Sequence, residues 1–213
     1  MINQTGSVRV DLLGGTLDLN PINLILSNVV TLNVATSLKA DVVLEEIDKD
    51  TLEIISKDYD SHNVFSKSEF TKENIYGDHF DKLTFLVQIL DHFGIHGGLK
   101  ITLKSGSPAG AGLGGSSAMG VTFFAALCQF KNLDLDRNEA IRVVNSIEGR
   151  ILDSGPAGYQ DYYPAVYGGV LGLLLKNGAV EVDQLYSEEL KSVLENNMSL
   201  VFSGEQRLSG INN

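Results

Sequence analysis

Apolar and polar positions alternate with a two-residue period through the first quarter of the chain. Ser7 to Leu13 is apolar and rich in β-formers, and it ends at Gly14-Gly15. Asn28 to Val34 and Leu38 to Ile47 alternate, with Val30, Leu32 and Val34 on one face, so each predicts a strand. Thr51 to Ser56 predicts another. Tyr59 to Lys72 is polar and irregular, the composition of an exposed loop or hairpin. The period then lengthens. Leu83, Leu86, Val87 and Leu90 share one helical face, which predicts a helix over Asp78 to Phe93, closed by Gly94. Gly98 to Leu103 reads as a strand, followed by a glycine-rich turn, Ser105 to Gly115, and an apolar helix, Ser116 to Phe130. Asp136 caps a further helix, with Glu139 in capping-box position, ending near Gly149. Tyr167 to Leu175 reads as a buried strand, Ala179 to Val182 as its hairpin partner and Met198 to Ser203 as a last strand. No linker, repeat or low-complexity segment interrupts this order. The chain reads as one α+β unit, a mixed sheet packed against helices.

The densest chemical signal is the turn Pro108-Ala109-Gly110-Ala111-Gly112-Leu113-Gly114-Gly115-Ser116-Ser117-Ala118. Glycines admit positive φ and let a ligand approach the backbone closely. The helix that opens at the end of the turn presents free N–H groups and the positive end of its dipole, an arrangement that attracts an anion. Two hydroxyls at the helix start can bind phosphate oxygens or Mg²⁺. An ordinary strand-to-helix loop is the bland alternative, but it does not need four glycines in six residues followed by Ser-Ser.

Three sharper alternatives also compete. A Walker A loop requires Gly-Lys-Ser/Thr, which is absent here. Gly110, Gly112 and Gly115 match a dinucleotide fingerprint, yet Asp134-Leu135-Asp136 leads into another helix where that fold needs a strand. A nucleophile elbow at Ser116 needs a later histidine, and His62, His79, His92 and His96 all precede it. His92 and His96 are interrupted by Gly94 and lack the acid of a zinc motif.

Composition narrows the partners. The chain has 213 residues, 43% of them hydrophobic, and a net charge of −11. That charge repels nucleic acid and anionic lipid, so an anionic substrate must be held locally, by backbone amides, a helix end or a metal ion. The single cysteine, Cys128, lies in an apolar run and reads as a core thiol; one cysteine builds no disulfide within the chain, which fits a cytoplasmic setting. Met1 to Ser7 is polar and unlike a signal peptide, and no apolar run approaches the roughly 20 residues that span a membrane.

The turn resembles motif 2 of the GHMP kinases, the superfamily of galactokinase, homoserine kinase, mevalonate kinase and phosphomevalonate kinase, whose pattern is P-x-x-x-G-L-G-S-S-A. Gly115 stands where the first serine is usual, so Ser116 falls on the second, which contacts Mg²⁺ in the family; Ser117 is extra. Arg9-Val10-Asp11-Leu12-Leu13-Gly14-Gly15-Thr16-Leu17-Asp18 resembles motif 1, R-V-N-L-I-G-E-H-T-D in galactokinases. Gly15-Thr16 replaces the Glu-His pair, which argues against galactose and matches the glycine-rich version in heptose phosphate kinases. Gly158-Tyr159-Gln160-Asp161, running on to Gly168-Gly169, resembles the stretch that carries the catalytic aspartate.

The resemblance implies an ATP-dependent kinase of a sugar or sugar phosphate. Pro108 to Ser117 would hold the ATP phosphates, Ser116 and Glu148 would bind Mg²⁺, and Asp161 would be the general base with Arg9 beside it. Gly15, Thr16, Asp18 and Gln160 would face the sugar. Read without the family, Arg9 is a strand-end charge, Glu148 a solvated helix residue, Asp161 a helix cap and Asp18 a turn residue. A non-catalytic nucleotide- or sugar-binding module and a dinucleotide-binding oxidoreductase stay open as other functions. The resemblance also implies a ferredoxin-like C-terminal domain with a third glycine-rich motif, and no such motif follows Gly169. Residues 1–203 would then be the N-terminal ATP-binding domain and 204–213 the start of a connection. A face left open by the missing domain would favour a homodimer.

Overall fold

The computed structural model describes residues 1–19, 21–26, 28–108, 110–152, 158–176, 179–201 and 203–205. In chain order the elements are β1 (Ile2–Leu13), α1 (Ile22–Ile25), β2 (Val29–Glu46), β3 (Thr51–Ser56), β4 (Ser61–Ser66), α2 (Lys72–Tyr76), α3 (Thr84–His92), β5 (Leu99–Ser105), α4 (Gly115–Phe130), α5 (Arg137–Ile151), α6 (Tyr163–Tyr167), β6 (Val170–Lys176), β7 (Ala179–Gln184) and α7 (Glu188–Asn197). The expected α+β class is present. The strands form one seven-stranded sheet in the order β4-β3-β5-β2-β6-β7, with β1 paired to β2. Every ladder is antiparallel except β3 with β5.

β2 organises the sheet. Val29–Val34 pairs with β6, Ala40–Glu46 pairs with β5, and β1 runs antiparallel along both halves. The sequence pattern predicts two strands here, and the structure makes them one. The inward-facing residues are Val29, Thr31 and Asn33 in the first half and Ala40, Val42 and Leu44 in the second. The set shifts from odd to even positions, so the pleat slips by one residue. Thr36 sits at the slip. Its hydroxyl donates to Val8 O at 3.1 Å and accepts from Leu38 N at 3.2 Å. The β1 register shifts at the same level, between Ser7 and Arg9. In the first half, Val30, Leu32 and Val34 are therefore on the outer face, and Val30 is 48% exposed.

Helices α3, α4 and α5 close the core against the other face. Val87, Ile89 and Leu90 of α3, Phe123 and Leu127 of α4, and Ile141 and Val144 of α5 pack in one cluster with Val42, Leu52, Ile54, Leu99 and Ile101 of the sheet. Gly120 lets them approach: a Cβ there would lie 2.5 Å from Phe85 Cζ and 2.6 Å from Val144 Cγ1. Asp136 caps α5, accepting from Asn138 N at 2.9 Å and Glu139 N at 3.0 Å. Cys128 is buried in the core, as its neighbours in sequence suggest.

Of the two readings of the polar stretch after Tyr59, loop or hairpin, the hairpin is present: the stretch contains β4, paired antiparallel with β3. Other expectations shift. The helix expected from Asp78 begins at Thr84, after a short 3-10 turn at Asp81–Leu83. The short α6 and the C-terminal α7 have no counterpart in the sequence reading, and the described residues from Met198 to Ser203 form no strand. Among the described residues no helix is long and apolar enough to cross a membrane.

Candidate active site

The glycine turn, β1 and the segment before α6 meet at one end of the sheet. The turn lies beside β1, where Arg9 N donates to Leu113 O at 3.1 Å. Gly110, Gly112 and Gly114 have φ of 70°, 74° and 68°. This left-handed conformation is steeply unfavourable for residues with a Cβ. Gly114 is the N-cap of α4; no side chain caps that helix, and no acidic residue lies in its first turn. The amides at the start of a 16-residue helix are thus left for an outside acceptor.

Asp161 touches this turn. A Cβ on Gly114 would lie 3.2 Å from Asp161 Cβ and Cγ. Arg9, 7% exposed, is the link between them. Its guanidinium pairs with Asp161 Oδ1, donates to Gly112 O and lies 3.2 Å from Asp11 Oδ2. One cation therefore fixes the glycine turn through a carbonyl and Asp161 through its carboxylate. Asp161 keeps 23% of its side chain exposed, so it remains open to a reactant.

On the other side of the helix start, Ser117 is 3% exposed and donates through Oγ to Glu148 Oε2 at 2.8 Å. Tyr162, fully buried, donates to the same oxygen at 2.6 Å. Burial pushes the Glu148 carboxyl above its ordinary range, against hydrogen bonds from Tyr162, Ser117 and Ser116 that favour the ionised form. Burial also raises the Tyr162 phenol, helped by the Glu148 charge. Ser116 is exposed at the first turn of α4.

The motif-1 residues complete the circle. Gly15 faces Asp11 and Gln160: a Cβ there would be 3.6 Å from Asp11 Cβ and from Gln160 Oε1. Asp18 is only 1% exposed and accepts from Gln160 N at 2.8 Å. Burial lifts its pKa to about 6. Thr16 stands on the same loop with φ of 81°.

Residues 82–169 match the family described as GHMP kinases N terminal domain. Over these residues the chain is similar to a GHMP kinase N-terminal domain. A D-glycero-D-manno-heptose 1-phosphate kinase from Bacteroides thetaiotaomicron has a similar solved structure, with a TM-score of 0.75 and 26% identity over 89% of this chain and 61% of that one. A homoserine kinase of Saccharolobus islandicus is 29% identical over 65% of this chain and 44% of its own length. An L-fucokinase/L-fucose-1-P guanylyltransferase of Bacteroides fragilis is 29% identical over 76% of this chain and 19% of its own. The chain thus spans 61% or less of each of these relatives.

Of the residues singled out by the motifs, Arg9, Gly110 to Ser117, Asp161, Glu148 and the Gly15 to Asp18 loop lie together. Ala109 lies outside the described residues. Two departures are visible. The hydroxyl bonded to Glu148 at 2.8 Å is that of Ser117, the extra serine, with Ser116 beside it on the solvent side. Asp18 points inward onto the backbone of Gln160 and is hidden from solvent. Asp11 and Tyr162 were not singled out in the sequence. Asp11 has a legible signal, since it lies two positions from Arg9 on the same strand face. Tyr162 has none, because a tyrosine among tyrosines reads as packing.

The residues present fit a hard divalent ion held together with phosphates. The donor set is a hydroxyl and one carboxylate, and a magnesium ion of that kind completes its shell with phosphate oxygens and water. No larger cluster of metal-binding side chains occurs among the described residues.

Proposed function

We propose that the protein is an ATP-dependent kinase that transfers the γ-phosphoryl group to a hydroxyl of a sugar or sugar phosphate, in the manner of the heptose kinases. The observation that carries this is the packing of Asp161 against Gly114, with Arg9 bridging both. MgATP would supply the phosphoryl group and neutralise its charge. The amides from Gly110 to Ser117 would hold phosphate oxygens, and Ser117, Ser116 and Glu148 would hold the metal. Asp161 would accept the proton of the attacking hydroxyl at its carboxylate as the new O–P bond forms and the bond from the γ-phosphorus to the bridging oxygen breaks, with ADP as the leaving group. Arg9 fixes the direction of that carboxylate and offsets its charge. Such chemistry consists mostly of positioning and charge stabilisation, which suits a site built from backbone and one buried guanidinium.

A heptose-type sugar phosphate is favoured over galactose by Gly15, whose missing side chain leaves room beside Gln160 and Asp11. A single core thiol, Cys128, agrees with a cytoplasmic enzyme. The test is ATP consumption by the complete protein against a panel of sugars and sugar phosphates, repeated with Asp161→Asn. Transfer to a sugar hydroxyl, lost by about 10² to 10⁴ in kcat for the variant with ATP affinity retained, is expected. Binding of ATP and sugar with no transfer in the unmodified protein would favour a non-catalytic module instead.

A further inference from the structure

Several buried side-chain atoms without a hydrogen-bond partner gather beside the proposed acceptor position. They are Thr31 Oγ1, both amide atoms of Asn33, Asp18 Oδ1 and Gln160 Oε1. Thr31 and Asn33 are fully buried, Asp18 is 1% exposed and Gln160 8%. Topology puts them together. Asn33 stands directly opposite Asp11 in the β1–β2 ladder, so its side chain leaves the sheet on the face of Asp11. Thr31 shares that face of β2, and its Cα lies 3.1 Å from where a Cβ on Gly14 would be. Gln160 Oε1 lies as close to Gly15 as Asp11 does, and Asp18 is bonded to the backbone of Gln160. Gln160 directly precedes Asp161 in the chain.

Buried polar atoms with no partner cost free energy, and native interiors hold only a few in every hundred or so residues. A group of them in one place points to an occupant. The chemistry of the group narrows what that is. Asn33 Oδ1, Gln160 Oε1 and Asp18 Oδ1 can only accept; Asn33 Nδ2 can only donate; Thr31 can do either. An excess of acceptors, one of them a carboxylate oxygen, repels phosphate and carboxylate groups and receives O–H groups. The covering loop is strained, because Thr16 is β-branched and has φ of 81°. Strain of this sort persists only where the surrounding structure holds it, and it clusters at ligand clamps and switch segments.

We propose that Thr31 and Asn33 are specificity-determining residues that bind the hydroxyl-rich end of the acceptor, admitted when the Gly14–Asp18 loop lifts. Any phosphate on the acceptor lies at the opposite end of the molecule. The inference rests on the sugar-kinase reading above and extends it to two residues that no motif marks.

Thr31→Val and Asn33→Leu in the complete protein test it by two readouts. With no partner to lose, both variants should melt at or above the temperature of the unmodified protein. The acceptor KM should rise at least tenfold, with the ATP KM within twofold. An unchanged acceptor KM overturns the proposal. So does a lowered melting temperature in both, since the atoms would then be serving the fold through internal water. If Asn33→Leu does not fold, Asn33→Asp differs by one atom and carries the same KM readout. The two failures are distinguishable: an unmodified protein that phosphorylates nothing defeats the kinase reading, whereas active variants with normal KM defeat only this assignment.

Discussion

Replacing Gly114 with alanine probes the contact on which the site depends, and Gly94 offers an internal control. Both glycines are left-handed, with φ of 68° and 65°. A Cβ at Gly94 meets nothing within 4 Å, whereas at Gly114 it meets Asp161 Cβ and Cγ at 3.2 Å and Oδ1 at 3.3 Å. The conformational penalty is shared, about 1–2 kcal/mol in each variant. For a chain of this size that lowers Tm by roughly 2–8 °C. The additional effect of Gly114→Ala is displacement of Asp161 by a few tenths of an ångström. Misplacement of a reacting group by ~1 Å costs on the order of a hundredfold, so a loss of about tenfold in kcat is expected. Thermal melts and steady-state turnover of Gly94→Ala and Gly114→Ala in the complete protein decide the matter. Similar melts with a turnover defect in Gly114→Ala alone support the reasoning. Equal turnover in the two variants would refute it.

Tyr162→Phe removes one of the hydroxyls bonded to the buried Glu148 carboxylate. It should cost about 1–3 kcal/mol of stability and raise the Mg²⁺ concentration needed for half-maximal protection in a thermal-shift titration; an unchanged Mg²⁺ midpoint would remove Tyr162 from the metal site. Asp18 binds its proton more tightly folded than unfolded, since its pKa rises from 3.8 to about 6. Its contribution to stability therefore declines as pH rises from about 4 through 6, by up to about 3 kcal/mol. Asp18→Asn, which keeps an oxygen for Gln160 N, should flatten that part of the stability profile in urea titrations; parallel profiles would show that Asp18 is not the group responsible.

The sheet and most helices are legible because period and punctuation agree there. Thr51 to Ser56 is bounded as expected, and Asp136 caps α5. The reading of β2 fails at a definite place. Alternation identifies an apolar face at Val30, Leu32 and Val34, but the buried positions are Thr31 and Asn33. Pattern assigns apolar residues to the core, and that rule gives way beside a polar site. The slip at Thr36 then breaks the period, so one strand reads as two. Glycine spacing, Arg9, Glu148 and Asp161 stand out in the sequence, and the fold brings them together. Which serine bonds Glu148, and which way Asp18 turns, depend on the helix start and on contacts between distant segments. Composition carries no trace of either.

The reach of Arg9 bears on how the molecule assembles. Its bond to Gly112 joins positions 103 apart in sequence. Closing so long a loop is slow compared with forming α3, α4 and α5 from local contacts. During refolding, helical signal should thus appear ahead of nucleotide affinity, and an intermediate with β1 still undocked would be compact but unable to grip a triphosphate. The first strand of the chain acts as the latch that fastens the glycine turn to the sheet.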